Sequence, residues 1–148
     1  MIKNKVNFLK KQFDELNIDG YIIPKNDAYF SEYSSPDRLR ILTDFSGSAG
    51  FAIILKKENY LFVDGRYVIQ AQIQSGKYFK IIEVPKFSTQ CILKQTKKKL
   101  LLGYDPQLFT NLSLKKKFTK DFNLLPIAEN LVDKVYKNNS KKKYFFFL

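Results

Sequence analysis

The chain has 148 residues, 45% of them hydrophobic and 27% charged, which is enough apolar material for one buried core and leaves little room for a second. With 26 basic residues against 14 acidic ones the formal net charge is +12, and there is no histidine, one cysteine (Cys91) and one methionine. These absences exclude a disulfide scaffold, a Cys-rich zinc site, any Ser-His or Cys-His nucleophile pair and an imidazole general base.

Val6, Leu9, Phe13 and Leu16 recur at helical spacing and predict an amphipathic helix over about 3–17, ended by Asn17 and Asp19-Gly20. Tyr21-Ile22-Ile23 reads as a short buried strand stopped by Pro24. Residues 24–36 form a polar, aromatic-studded loop long enough to be functional. Asp37 is placed to cap a short helix through Leu42. The small-residue loop Asp44 to Gly50 opens onto a strand over Phe51 to Leu55. A turn at 56–59 returns the chain as a second strand, Tyr60 to Val63, and the pair reads as an antiparallel hairpin. Gly65 to Ser75 reads as a helix stopped by Gly76, and Tyr78 to Val84 as a strand. Further on come a helix over 88–98, a strand over Leu100 to Tyr104 and a turn at Asp105-Pro106. A helix over 110–120, a strand over Asn123 to Pro126 and a short helix over 128–137 complete the pattern. Helices alternating with short buried strands, plus one hairpin, predict a mixed α/β sheet with helices on both faces. Residues 138–148 differ: a basic run followed by Tyr144 to Leu148, an apolar tail that a natural domain would cover. The expectation is one domain over 1–137 and a tail over 138–148 left where a longer chain once continued.

The charge is uneven. Residues 1–76 carry 10 basic and 9 acidic side chains, residues 77–148 carry 16 and 5, and 23 of the basic residues are Lys. The runs Lys97–Lys99, Lys115–Lys117 and Lys141–Lys143 attract polyanions, but specific nucleic-acid readers usually use the planar fork of Arg. The charge runs therefore read as a solvated surface rather than a nucleic-acid site. No run approaches the roughly 18 to 20 apolar residues that span a bilayer, and Met1 to Lys11 lacks the apolar stretch of a secretory signal, so a cytoplasmic location is expected.

Ser46-Gly47-Ser48-Ala49-Gly50 lacks the G-x-x-x-x-G-K-[ST] and G-x-G-x-x-G patterns and precedes a strand, so it reads as tight-turn chemistry rather than a phosphate cradle. In Asp64-Gly65-Arg66-Tyr67, Asp64 can cap the following helix. Arg66 either points outward or offers a charge-assisted fork to a carboxylate nearby or in a partner. Asp27, Glu32, Asp37, Asp44 and Asp64 lie at strand ends and loops, and their spacing selects no catalytic or metal-binding pair. Tyr29, Phe30 and Tyr33 either line a groove or close one end of the core.

Read together, Asp19 to Pro24, Ser31-Glu32-Tyr33, Arg40, Phe45 to Gly50, Asp64 to Tyr67 with Gln70-Ala71, Gly103 to Pro106 and Glu129 to Tyr136 resemble the N-terminal domain of Xaa-Pro aminopeptidases (aminopeptidase P) over roughly residues 5–137. The resemblance implies the creatinase/prolidase N-terminal fold, a mixed sheet of about six strands flanked by helices on both faces and akin in shape to ribonuclease H. It implies that the family's activity, removal of an N-terminal residue preceding proline, belongs to a C-terminal pita-bread domain holding two divalent metals, typically manganese. No such domain or ligand set is expected in this chain, so no catalytic, cofactor-binding or metal residue is assigned. The expectation is a noncatalytic N-terminal domain from a truncated or split gene, serving dimerisation or access to the active site. Its partner would be a second copy or a separately encoded catalytic domain, met through Ser46, Gly47, Ser48, Asp64 and Arg66. The alternatives are a Lys-rich module for nucleic acid or acidic membrane, and a stand-alone enzyme using carboxylates and Arg66.

Overall fold

A computed structural model describes residues 2–26, 37–84, 89, 92 and 98–137. Helix α1 (Ile2–Leu16) forms because Ile2, Val6, Leu9 and Phe13 fall on one stripe, and all four are buried. It ends where Asn17 turns left-handed (φ 54°) and the Ile18 N–H returns to the Phe13 carbonyl. Strand β1 (Gly20–Pro24) follows and is buried along its whole length.

Five further strands build the sheet: β2 (Phe51–Leu55), β3 (Asn59–Asp64), β4 (Lys80–Val84), β5 (Leu101–Tyr104) and β6 (Asn123–Pro126). Their order is β4-β3-β2-β1-β5-β6. The β1–β2 and β2–β3 pairs are antiparallel, with Ile22 opposite Ile53 and Ile53 opposite Tyr60. The β3–β4, β1–β5 and β5–β6 pairs are parallel. Only β2 therefore runs against the rest, and the carboxyl ends of the other five strands share one end of the sheet. Asp19 fixes the β1–β5 register from outside the ladder: its N–H donates to the Leu101 carbonyl and its Oδ2 accepts the Leu101 N–H, both at 2.8 Å.

Alternation along the strands divides the core into two layers. Tyr21, Ile23, Ala52, Ile54, Leu61 and Val63 pack beneath α1, α2 (Arg38–Thr43), α3 (Val68–Ser75) and α5 (residues 131–137). Ile22, Ile53, Tyr60, Phe62 and Leu102 pack on the other side, against Ile92, α4 (Asn111–Lys117) through Leu114, and Phe118 and Phe122. The mixed six-stranded α/β sheet covered on both faces is the architecture that the sequence predicts.

Local differences have local causes. The helix expected from Gly65 opens instead as a 3-10 turn, Gly65–Tyr67, because the Asp64 carboxylate takes the Arg66 N–H and tightens the first turn. Gly76 ends α3 without a left-handed turn (φ −64°). The strand expected from Tyr78 begins at Lys80, since the Tyr78 and Phe79 N–H groups are spent on the Ser75 carbonyl. The last helix begins at 131 rather than 128 because Asn130 caps it, its Oδ1 accepting the Val132 N–H at 2.9 Å. The helix expected over 88–98 and the tail over 138–148 lie outside the described residues, apart from 89, 92 and 98.

Candidate functional site

The loop from Asp44 to Gly50 enters β2 at the end of the sheet where β3 delivers Asp64 to Tyr67. Asp44 closes α2 in the left-handed region (φ 63°), its N–H donating to the Arg40 carbonyl. Thr43 Oγ1 then accepts the Phe45 N–H at 3.1 Å, and Ser75 Oγ donates to the Thr43 carbonyl at 2.6 Å, so the loop's root is tied to α3. Phe45 drops into the core, and Gly47 folds back over its ring. A Cβ at Gly47 would stand 2.2 Å from Phe45 Cζ, which is why that position is glycine. Gly50 carries φ +151° and lies so close to β3 that a Cβ would come within 2.9 Å of the Phe62 carbonyl oxygen.

The sequence-selected residues meet along α3. Ser46 Oγ accepts from Gln70 Nε2 at 2.9 Å and from Gln74 Nε2 at 2.8 Å, while its N–H donates to Gln74 Oε1 at 3.0 Å. The Ser48 and Tyr67 hydroxyls share a hydrogen bond, and Tyr67 also meets the Phe45 ring edge-on at 6.0 Å. Ser46, Gly47 and Ser48 are thus fastened to the turn that carries Asp64 and Arg66. Asp64 accepts three donors from Arg66: the backbone N–H at 2.9 Å, Nε at 3.3 Å and Nη2 at 2.9 Å. The guanidinium carbon lies 5.3 Å from the Tyr67 ring centre. Hydrogen bonding to Arg66 holds the Asp64 carboxyl below the usual carboxylate range, and Asp64 in turn raises Arg66. The fork leaves Nη1 pointing away from Asp64 on a side chain that is 77% exposed.

The other carboxylates singled out from the sequence serve the backbone or nearby lysines. Asp37 caps α2 and pairs with Lys25, and Asp44 lies 4.0 Å from Lys5. Asp27, Glu32, Tyr29, Phe30 and Tyr33 lie outside the described residues. Of the lysine runs, Lys99 reaches the Thr119 carbonyl at 3.4 Å, which brings 98–99 beside the end of α4.

One feature escaped the sequence. A cleft of about 380 Å³ opens at the same end of the sheet, between Pro24, Ser48, Phe51, Thr110, Lys117 and Phe118. It sits beyond the carboxyl ends of the parallel strands β1 and β5, where open α/β sheets place ligands. Phe51 stacks on Phe62 at 4.6 Å and meets Phe118 edge-on at 5.5 Å, and the Lys117 ammonium lies 5.7 Å from the Phe51 ring centre. The aromatic residues were its only trace in the sequence, because the walls come from four separated segments.

Buried polar groups tie the far motifs together. Asp105 accepts the Gln107 N–H at Oδ1 and Asn130 Nδ2 at Oδ2, both at 2.9 Å. The Leu131 N–H donates to the Tyr21 hydroxyl at 3.4 Å, and Arg38 grips Asp133 through Nε and Nη2 at 2.9 and 3.1 Å. The Gly103–Pro106 and Glu129–Tyr136 segments are therefore joined by the architecture itself.

The Creatinase/Prolidase N-terminal domain family model matches residues 5–135. "Probable Xaa-Pro aminopeptidase P" of Colletotrichum graminicola is 32% identical over 145 residues, covering 89% of this chain and 23% of that protein. "Xaa-Pro aminopeptidase 2" of Rattus norvegicus is 34% identical over 133 residues, covering 84% and 20%. The X-prolyl aminopeptidase of Caenorhabditis elegans, described as a cytosolic enzyme with a di-nuclear active site, superposes with a TM-score of 0.81 at 26% identity, over 93% of this chain and 26% of that one. The N-terminal domain of the cytoplasmic peptidase PepQ from Mycobacterium tuberculosis shares the fold, with a TM-score of 0.64 at 20% identity over 89% of this chain and 98% of that one. The chain thus spans about a fifth to a quarter of the length of the curated relatives it matches.

A two-metal centre needs several oxygen and nitrogen donors converging on the ions. The chain has no histidine, and among the described residues no three of Asp, Glu and Cys gather into a metal-holding group, so these residues do not fit such a centre. Also among the described residues, no helix is long and apolar enough to cross a membrane. The family-model match over residues 5–135, with the agreeing superposition on X-prolyl aminopeptidase, establishes that this chain belongs to the creatinase/prolidase N-terminal domain family.

Proposed function

We propose that this chain is the noncatalytic N-terminal domain of an Xaa-Pro aminopeptidase-type metallopeptidase, acting in the cytoplasm. It works by pairing, with a second copy or with a catalytic part, and by shaping access to that part's active site. The observation that carries this reading is the family match over residues 5–135, set against relatives whose chains run several times longer. The divalent metals, manganese in this reading, belong to the catalytic part. The loop bearing Ser46 to Ser48 and the Asp64–Arg66 turn supply the partner-facing surface, because tethers to α3 hold them in fixed positions.

The test is Xaa-Pro cleavage, assayed with the purified chain alone and with a companion metallopeptidase chain, each with and without added manganese. The chain alone is expected to be inert and to co-purify with the companion, altering its turnover. Proline-directed hydrolysis by the purified chain alone, lost in Arg66→Ala, would overturn the noncatalytic assignment.

A second reading, polyanion binding, is favoured by one contact, the Lys99–Thr119 bond that brings Lys98 and Lys99 beside the end of α4. Retention of nucleic acid or of acidic vesicles at about 0.15 M salt, where exposed charges are screened beyond roughly 8 Å, separates it from generic attraction.

A further inference from the structure

The cleft of about 380 Å³ beyond β1 and β5 has the size of a small-molecule site, and its wall has the matching make-up, mostly apolar with a few polar groups. Its rings form a herringbone. Phe118 meets Phe51 edge-on at 5.5 Å and 87°, and Phe109 edge-on at 6.0 Å and 89°. Phe118 is buried, whereas Phe51 and Phe109 keep part of their surface accessible within the cleft. Edge-to-face contacts set the positive edge of one ring against the negative face of the next, so such an array can be continued by one more ring.

The charge on the wall has one sign. Lys25 and Lys117 line the cleft, and among the described residues no carboxylate does. Lys25 is paired with Asp37. Lys117 has no ion-pair partner among the described residues, and its ammonium lies over the Phe51 ring, 5.7 Å from the centre. The hydrogen-bonding side chains are committed elsewhere. Asn26 Nδ2 donates to the Leu108 carbonyl at 2.8 Å, the Ser48 hydroxyl is shared with Tyr67, and Ser113 Oγ donates to the Thr110 carbonyl at 2.9 Å. A neutral polar ligand meets few open donors here, while an anion meets an ammonium set against an aromatic wall.

We propose that this cleft binds a small aromatic carboxylate, its ring continuing the array of Phe51, Phe109 and Phe118 and its carboxylate paired with the Lys117 ammonium. On binding, the ammonium exchanges a cation–π contact for a charge-assisted hydrogen bond, the stronger of the two. A saturated chain would fill the space without the edge-to-face contacts, and an aromatic cation would face two lysines. Every group involved belongs to this chain, so the site does not depend on the role proposed toward a catalytic part.

The test is titration of the isotope-labelled whole chain with naphthylacetate, read from backbone amide chemical shifts. Its uncharged amide and its saturated decahydro counterpart are titrated in parallel. Saturable shifts at Gly50, Phe51, Ser113 and Phe118 are expected, with a Kd of about 1 mM or tighter, the scale for a ligand of this size. The amide should bind about tenfold more weakly, and the saturated acid about threefold or more. Lys117→Gln should weaken naphthylacetate about tenfold and erase its advantage over the amide, whereas Lys116→Gln should change neither. The Lys117 side chain is exposed, so its loss leaves the core intact, and the comparison of acid with amide needs no variant at all. Equal affinity for acid and amide, or for the aromatic and saturated acids, overturns the proposal. So do shifts that follow the lysine runs without saturating, or no shift up to about 10 mM.

Discussion

Asn130 donates from Nδ2 to Oδ2 of Asp105 at 2.9 Å, joining two side chains that are only 6% and 4% exposed. The same Asn130 turns its Oδ1 to the Val132 N–H and caps α5. Removing it deletes a helix cap and leaves a buried carboxylate oxygen without that donor. Asn130→Ala is therefore expected to lower unfolding free energy by about 2–4 kcal/mol, read from urea denaturation. A loss within about 0.5 kcal/mol, the ordinary effect of a surface change, would contradict this account.

Gly50 joins a positive φ to a close approach, 2.9 Å from a would-be Cβ to the Phe62 carbonyl. Gly50→Ala must either strain the backbone or push β2 from β3, and about 1–3 kcal/mol of stability should go with it. Thermal unfolding of the two proteins side by side measures the difference.

The exposed Asp64–Arg66 pair makes a prediction about protons. The Arg66 fork lowers the Asp64 carboxyl below its ordinary value, so the folded chain binds fewer protons there than the unfolded one. The resulting stabilisation is present at neutral pH and disappears as pH falls through the folded value. Carboxyl carbon NMR should show Asp64 titrating below an ordinary aspartate, and Arg66→Ala should return it toward the usual range. An Asp64 titration unmoved by that substitution would remove Arg66 as the cause.

Tyr21 is shifted the other way. Burial is the largest cause, pushing the phenol well above its ordinary range, while the hydrogen bond from the Leu131 N–H opposes it. The folded form thus holds its proton to higher pH than the unfolded chain, so this stabilisation is full below the ordinary phenol value and is lost as alkali rises past it toward the folded value. Absorbance near 295 nm should show Tyr21 silent until the protein unfolds, with the late step missing in Tyr21→Phe.

Arg38 grips Asp133 with two nitrogens, and its side chain is only 13% exposed. A lysine ammonium cannot reproduce that planar fork. Arg38→Lys is expected to cost about 1–2 kcal/mol despite keeping the charge, on the scale of a charge-assisted hydrogen bond lost. Urea denaturation of the variant measures it, and a result equal to the parent chain would mean that charge alone suffices.

How far these features could be read from the residues depended on their range along the chain. The stripe Val6-Leu9-Phe13, the runs Tyr21 to Ile23 and Phe51 to Leu55, and the caps at Asp37 and Asp64 are signals within one turn or one strand, and each lies where the sequence placed it. Ser46 and Arg66 belong to one motif series in the sequence, but their fastening to Gln70, Gln74 and Asp64 needed the folded loop. The Asp105–Asn130 bond spans 25 residues and the cleft near Phe51 gathers four segments, so no local pattern announces either. The exposure of Ile69 and Ile73 was equally hidden, because apolar and Gln residues mix around VIQAQIQS without a clear stripe until one face is buried through Ala71 and Ser75.

The shared layer formed by the first and last described helices has a consequence for synthesis on the ribosome. Ile2 and Val6 of α1 lie in one cluster with Leu131, Val132 and Val135 of α5, and β1 finds its parallel neighbour only when Leu101 to Tyr104 have been made. The β2–β3 hairpin and the helices α1 to α3 can assemble early, but their layer is completed only when α5, ending at residue 137, has cleared the exit tunnel. A chain stalled before that point leaves the Tyr21 hydroxyl without its Leu131 N–H donor and Ile2 and Val6 without their α5 neighbours. In a stalled-ribosome series, proteolytic protection of α1 should therefore rise in a single late step rather than by increments.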